Sequence, residues 1–503
     1  MSIQAEVSPT QPNVVKYWLM RLDIHKLNLG SDSAERDIAV GLSEYFYQNS
    51  TYHKFLKSHK TILVGNRGTG KSAIFKYIAL TEARKGNLIL ELSPEEYSYE
   101  LLCEYLRSES EGSWGKQSAY SVAWQYLLYN LIFSKIAANK RGLLLGPQKD
   151  IYAYVRNNLQ NQQLNSISIL VNYLKRLEKA KFESQETFTK TRELQALYSL
   201  EEIKELVPSL KKVLQKTRIK ILVDELDKGW DNSEDARYFI AGLFQATQKI
   251  NLISSNLKVY VSIRQELFDN IPQIYDDAQK IREDVEIIRW GRDELIELLG
   301  LRIVHSFPEA KKLTSHRRWN SVFSAQLSSR REDSADYIIN RTQLRPRELL
   351  QFCKLCLERH VKGNKVTEPA ILAAEEMYSE QKIKDLAAEY RFQYPYLLDL
   401  FEVFRGKCIY FSKDELDLFI LAIVCGDVDV DQAIWVINMD YLELKKILWH
   451  IGFLKAAIPK AAQKQPCNAN AYLGHYEIPT INLENIQHFC IHPAFASFLS
   501  LKN

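Results

Sequence analysis

The sequence predicts an α/β protein, a parallel sheet carrying a large helical insertion, a helical lid and a C-terminal winged-helix domain. Three observations predict it. Short β-branched runs recur at Lys60–Val64, Leu88–Leu92, Ile219–Val223 and Leu257–Ile263, with helical spacing before each return. Strands alternating with helices make a parallel sheet covered on both faces. A glycine turn follows the first run directly, and after Trp290 the pattern becomes helical until alternating segments resume near the C-terminus.

Taken in order, residues 1–59 are a polar lead-in. Leu29-Gly30-Ser31-Asp32-Ser33-Ala34-Glu35-Arg36-Asp37 opens a segment whose apolar positions Ile38, Val40, Leu42 and Phe46 predict a helix. Residues 60–290 are the sheet core, with Val285–Ile288 as a fifth short strand. Within it, 97–217 is rich in Leu, Tyr, Lys and Glu and poor in Gly and Pro, and Ile169, Tyr173 and Leu177 share a helical face. That stretch reads as an insertion, because the distance from Lys71 to Asp224 exceeds what a minimal core needs.

Residues 291–400 form the lid. Leu295, Leu298, Leu299 and Ile303 line one helical face, and a basic stretch from Lys311 to Arg331 fits a loop or a solvated helix. Thr342 to Arg359 reads as a further helix with Pro346 in its first turn, where a missing N–H costs nothing. In 401–503, Ser412 and Glu415 make a capping-box pattern before Leu416–Val424. Tyr441–Ile451 reads as a helix, and Gly452 leads into segments Phe453–Ile458, Ala471–Ile478 and Ile486–Ile491.

The 503 residues are 46% hydrophobic and 25% charged, which excludes a collagenous or largely disordered chain. A net charge of +4 is too balanced for a dedicated nucleic-acid or membrane-surface binder. The seven cysteines are odd in number and scattered, which suits a reducing compartment. With no apolar signal core and no run long enough to span a bilayer, the expectation is a cytoplasmic protein with no membrane contact.

Chemistry concentrates in Gly65-Asn66-Arg67-Gly68-Thr69-Gly70-Lys71-Ser72, followed by the helical run from Ala73 to Leu80. Gly65, Gly68 and Gly70 permit backbone angles that side chains forbid. Consecutive N–H groups can then wrap a phosphate at a helix N-terminus. Lys71 is expected to bridge the β- and γ-phosphates, and Ser72 to offer a hydroxyl to Mg²⁺.

The strand Ile219–Val223 delivers Asp224 and Glu225 at its carboxyl end. Taken alone, a solvated acidic turn accounts for the pair. Beside the phosphate loop, Asp224 is expected to hold Mg²⁺ and Glu225 to deprotonate the attacking water. Arg264 ends the strand Leu257–Ile263, where it either senses the γ-phosphate or is a surface arginine; Arg282 is placed to reach a neighbouring subunit's nucleotide. Arg347 in the first turn of a helix is poorly placed for the helix dipole, which points to an anion there, with Pro346 over the base; an exposed helix start explains it as well.

Cys353, Cys356 and His360 share a helical face but lack a second ligand pair, so they read as core packing. Lys445, Lys446, Lys455, Lys460 and Lys464 either face DNA from a wing or form a solvated face.

These residues carry a resemblance to the additional-strand P-loop NTPases, the AAA+ and STAND group of ATPases. Gly65–Ser72 resembles their Walker A motif and Asp224-Glu225 their Walker B motif; Arg264 is similar to a sensor-1 arginine and Arg347 to a sensor-2 residue. Gly30–Glu35, Lys71-Ser72-Ala73-Ile74-Phe75 and Arg345-Pro346-Arg347 together resemble a bacterial family related to origin-recognition ATPases, in blocks scattered over Leu29–Phe352. The resemblance implies an ATP- and Mg²⁺-dependent switch, a member of a prokaryotic antiphage defence system, working by self-association or with a partner effector protein. A DNA-binding loader or scaffold with slow hydrolysis, for which DNA is a possible partner, is the alternative. A module that keeps ATP as structural glue is a third.

Overall fold

The computed structural model describes residues 22–58, 60–93, 113–139, 146–159, 200–226, 233–271, 278–457 and 472–502. Five strands, β1 (Ile62–Val64), β2 (Leu88–Leu92), β3 (Ile219–Val223), β4 (Leu257–Ile263) and β5 (Val285–Ile287), form one sheet in the order β2-β3-β4-β1-β5, all neighbours parallel. The fourth strand in sequence therefore lies between the strand of the glycine loop and the strand of the acid pair. In-register pairing fixes what meets at the carboxyl edge: Val64 opposes Ile263 and Val223 opposes Val261. Gly65, Asp224, Ser262 and Arg264 must then emerge side by side.

Both faces of this sheet are covered, as its continuous apolar runs require. On one face lie α1 (Ser50–Lys57) and α2 (Lys71–Arg84), whose Phe55, Ile74, Phe75 and Ile78 pack on Leu63, Leu222 and Tyr260. On the other lie α3 (Ser113–Ala138) and α4 (Glu234–Asn251). Helices Pro147–Leu159 and Leu200–Leu214 extend that layer. These two helices and α3 belong to the expected insertion; Ile169, Tyr173 and Leu177 lie outside the described residues.

The predicted helix over Ile38–Phe46 is instead two short ones, Ala34–Val40 and Leu42–Tyr45. Gly41 separates them at φ +132°, a left-handed value that interrupts the helical hydrogen-bond run. The helix expected to start at Thr342 starts at Pro346. Leu344 takes φ +51°, and the residue before a proline is kept out of the helical region. The basic stretch resolves into a 3₁₀ turn at Pro308–Lys312, a helix at Ser315–Val322 and a two-residue hairpin pairing Gln326–Leu327 with Glu332–Asp333.

Past the sheet come α5 (Arg292–Ser306), α6 (Pro346–Glu358) and α7 (Glu368–Glu389), then α8 (Lys413–Val424) and α9 (Tyr441–His450). Ser412 and Glu415 do exchange the capping-box hydrogen bonds. A four-stranded antiparallel sheet follows, built from β6 (Tyr410–Ser412), β7 (Leu454–Ala457), β8 (Tyr472–Leu473) and β9 (His488–Ile491) in the order β8-β7-β9-β6. The strand Tyr410–Ser412 had no counterpart in the sequence reading, because its three residues are too few to show alternation. One apolar core joins these helices to this sheet, through stacked Phe401, Phe453 and Phe495.

At Gly242 the α3–α4 contact leaves no room for a side chain. A methyl group built on Gly242 would sit 2.6 Å from the Tyr120 Cβ and 2.8 Å from the Ser121 nitrogen. Neither can retreat without moving a helix. Gly242→Ala is therefore expected to destabilise the protein by about 1–3 kcal/mol through overpacking, outweighing the alanine's better helix propensity of about 1 kcal/mol. A urea midpoint equal to or above wild type would contradict this.

Candidate functional site

Loop, acids and arginines converge on one cavity of about 450 Å³. Its walls include Arg67, Gly68, Gly70, Lys71, Ser72 and Ala73 from the glycine loop, Asp224 and Glu225 from the end of β3, Arg264 from the end of β4, and Pro346 and Arg347 from the start of α6. Gly65, Asn66 and Thr69 instead line a smaller cavity of about 140 Å³ on the other side of the loop. Their part is to shape the turn: the Thr69 hydroxyl donates to the Asn66 carbonyl at 2.8 Å, and Trp290 Nε1 donates to the Thr69 carbonyl at 2.9 Å.

Gly68 and Gly70 sit at φ +82° and +95°, as the loop requires. Gly70 caps α2 without a side chain, and the first turn of α2 holds no acid. The helix thus presents its positive end and its first N–H groups at the cavity wall, an arrangement that favours an anion. Lys71 Nζ donates to the carbonyls of Gly65 at 2.7 Å and Asn66 at 3.1 Å. An entering phosphate would exchange these neutral acceptors for charged ones, whose hydrogen bonds are roughly twice as strong.

Opposite the loop, the Ser262 hydroxyl donates to Asp224 Oδ1, which also accepts the Glu225 backbone N–H at 2.9 Å. Glu225 itself has φ +60°, strained for a residue with a side chain. Ser262 is buried and was missed in the sequence, where it reads as one polar residue in a strand; only strand register places it against Asp224. Ser72 and Asp224 supply a hydroxyl and a carboxylate to the same cavity, hard oxygen donors of the kind Mg²⁺ takes. The residues present fit that ion.

Cations crowd the remaining wall. Burial, followed by the neighbouring Arg67 and Arg264 charges, pushes the Arg347 guanidinium below its ordinary value. Arg347 Nε donates to the Asp32 carbonyl at 3.2 Å, and Lys354 pairs with the Asp32 carboxylate. The lead-in is therefore part of the site. Ser31, Asp32, Glu35, Tyr45, Phe46, Tyr47 and Asn49 line the same cavity as Pro346 and Leu350. A buried pair, Arg302 to Asp37 at 2.8 Å, staples this segment to α5, and the Tyr45 hydroxyl donates to Asp37 at 2.8 Å. The signal for this half was the aromatic run Tyr45-Phe46-Tyr47, which the helical reading absorbed.

What holds α6 and α7 to the loop is a buried charge network. Arg345 Nη1 donates to the Arg67 carbonyl at 3.2 Å and pairs with Glu389 at 2.7 Å, and Glu389 accepts the Arg67 N–H at 3.4 Å. Glu348 lies 3.5 Å from Arg345 and pairs with Lys382, and it accepts the Gln343 N–H at 2.6 Å. Gln343 Nε2 then donates to the Gly452 carbonyl at 3.1 Å, beside the antiparallel sheet. An exposed pair such as Lys384–Glu380 contributes about 0.3–0.5 kcal/mol. Breaking a buried one costs roughly ten times as much.

Several expectations are corrected or relocated. Lys445 and Lys455 do not face solvent from a wing: Lys445 is fully buried against Asp417 and the Phe489 ring, and Lys455 is buried 3.7 Å from Glu477. Charge alone could not reveal these acids as partners. Lys446 is exposed, and Lys460 and Lys464 lie outside the described residues. Arg282 is exposed on the short helix Ala278–Asp284 and does not line the cavity. Cys353 and Cys356 are buried in the core of α6, and His360 Nε2 contacts the Gly363 carbonyl at 3.0 Å.

Glu389→Ala should cost about 3–5 kcal/mol, because it leaves the Arg345 guanidinium buried without its closest counter-charge. Denaturant unfolding measures this, and a loss below about 1 kcal/mol would mean that the pair is not what fastens α7 to the loop.

The family described as the FunZ-associated C-terminal helical domain matches residues 293–387. Among curated proteins the chain is similar to the putative transposon gamma-delta 80.3 kDa protein of Escherichia coli (strain K12), 23% identical over 399 residues, covering 75% of this chain and 53% of that protein. The chain thus spans about half the length of the curated relative it matches. Among solved structures it is similar to the Aeropyrum pernix ORC2 protein in its ADPNP-ADP complexes, at 10% identity, a TM-score of 0.34 and coverage of 85% of this chain and 88% of that one. The ADP form of that protein matches at 10% identity and a TM-score of 0.30, covering 93% and 92%.

Proposed function

We propose that the protein is an ATP-binding and ATP-hydrolysing molecular switch. The observation that carries this reading is the single cavity in which a glycine loop with its lysine, a hydroxyl, two acids and two arginines from separate parts of the chain face one another. A nucleotide laid with its phosphates along Gly68–Ser72 would place its base against Tyr45, Phe46, Tyr47 and Pro346. That apolar half suits a planar ring.

The chain's own residues then have distinct tasks. Lys71 leaves the Gly65 and Asn66 carbonyls and neutralises the β- and γ-phosphates. Arg264 and Arg347 approach the γ-phosphate from β4 and from the lid. Glu225, held in its strained backbone conformation, takes a proton from the water that attacks. Ser72 and Asp224 would hold Mg²⁺, with Ser262 fixing the Asp224 carboxylate; the ion supplies charge neutralisation at the phosphate oxygens. Because Arg345 and Arg347 sit in one helix start, occupancy of the cavity biases the lid, and through Gln343 the antiparallel sheet. Winged-helix character for that last unit and membership in an antiphage defence system rest on the resemblance of the motifs. Among the described residues no helix is long and apolar enough to cross a membrane.

Lys71→Ala should weaken ATP binding about 10- to 100-fold, the worth of a charge-assisted hydrogen bond. Glu225→Gln should keep ATP affinity and lower turnover by about 10²–10⁴. Calorimetric titration and phosphate release measure the two. Full ATP affinity in Lys71→Ala would sink the reading, and unchanged turnover in Glu225→Gln would reduce ATP to a structural ligand.

A further inference from the structure

Glu266 is a carboxylate with an incomplete set of partners. It follows β4 in the short helix Gln265–Phe268, is only 6% exposed, and its Oε1 lies 3.6 Å from Arg264 Nη1. Its other oxygen, Oε2, is buried without a hydrogen-bond partner. The charged and titratable groups around it are Arg264 from its own segment, Lys71 from α2, and Glu389 and Tyr390 from the end of α7. Gln393 fixes its backbone by donating to the Glu266 carbonyl at 3.2 Å. Glu389 cannot serve it, being committed to Arg345 and the Arg67 N–H.

A buried acid with a second acid nearby is costly unless a cation neutralises it. The cation in contact is the arginine whose guanidinium lines the nucleotide cavity. Resting on the ATP-switch reading above, we infer that Glu266 is the positioning residue of Arg264, a buried counter-charge with which the third phosphate of a nucleotide competes for that guanidinium. A triphosphate must draw Arg264 away from Glu266, whereas a diphosphate leaves the pair intact. Glu266 thereby sets the preference of the site between ATP and ADP.

The charge on Glu266 is itself adjustable. Burial pushes its carboxyl up to about 7; the Glu389 charge acts in the same direction and Arg264 and Lys71 oppose it. Above that pH the acid is charged and holds Arg264. Below it the acid is neutral, its hold on the guanidinium weakens, and a triphosphate gains relative to a diphosphate.

The test is the ratio of ADP to ATP dissociation constants, measured calorimetrically at pH 8 and pH 6 in wild type, Glu266→Gln, Arg264→Gln and the double variant. At pH 8, Glu266→Gln should raise the ratio about tenfold, the weight of one pKa unit. At pH 6 the gap from wild type should close. In the Arg264→Gln background the Glu266 substitution should change nothing, and any titration of the nucleotide itself is common to all four proteins. A ratio unmoved by Glu266→Gln while ATP still binds, or an effect that persists without Arg264, overturns the inference alone. Failure of wild type to bind either nucleotide overturns the function reading first. Should Glu266→Gln not fold, the wild-type ratio still decides: it must rise from pH 8 to pH 6 by more than it does in Arg264→Gln.

Discussion

The arrangement depends on one buried guanidinium. Arg345 reaches the carbonyl of Arg67 inside the glycine loop, and the acid that neutralises it, Glu389, takes the N–H of the same residue. One residue of the glycine loop is thus gripped through both of its backbone polar groups by side chains at the ends of two helices distant in sequence. Desolvating an arginine and a glutamate is expensive, and the geometry is tolerable only because each satisfies a backbone group that would otherwise be orphaned. The loop therefore cannot change shape without disturbing α6 and α7. The starts and ends of these helices and the loop are one electrostatic unit.

Around that unit, strand register supplies the frame. Because β4 is inserted between β3 and β1, Gly65, Asp224 and Arg264 follow the carboxyl ends of three neighbouring strands. Parallel strands require crossover connections, and here one of them has grown into the helical layer that also buries the sheet's second face.

Much of this could be read from the chain. Lys71, Ser72, Asp224 and Arg264 were legible because short-range pattern identifies them: a loop with fixed glycine spacing, and polar residues closing hydrophobic strands. The cavity brings them together. Less legible was whatever depends on distant partners. Ser262 meets the Asp224 carboxylate only when β4 pairs with β3. Asp37 joins the site through Arg302, which lies on a helix of the lid. Lysines 445 and 455 look like surface charge until Asp417 and Glu477 are seen beside them. Arg345 stands in the sequence only as a neighbour of Arg347, yet its guanidinium reaches the Arg67 carbonyl inside the loop. Periodicity and motif report what a residue is near in the chain; a buried ion pair is defined by what it is near in space.

Gly242 gives the helical layer a mechanical meaning. At Gly242 the backbone of α4 comes against Tyr120 and Ser121 of α3 with no room for a methyl group, which restrains sliding or rolling of one helix on the other there. The chain passes from α4 almost at once into β4, the strand that carries Ser262 and Arg264. A force applied to the outer helices is therefore delivered without slack to the edge of the sheet where those two side chains stand, which makes the insertion a stiff handle on the cavity.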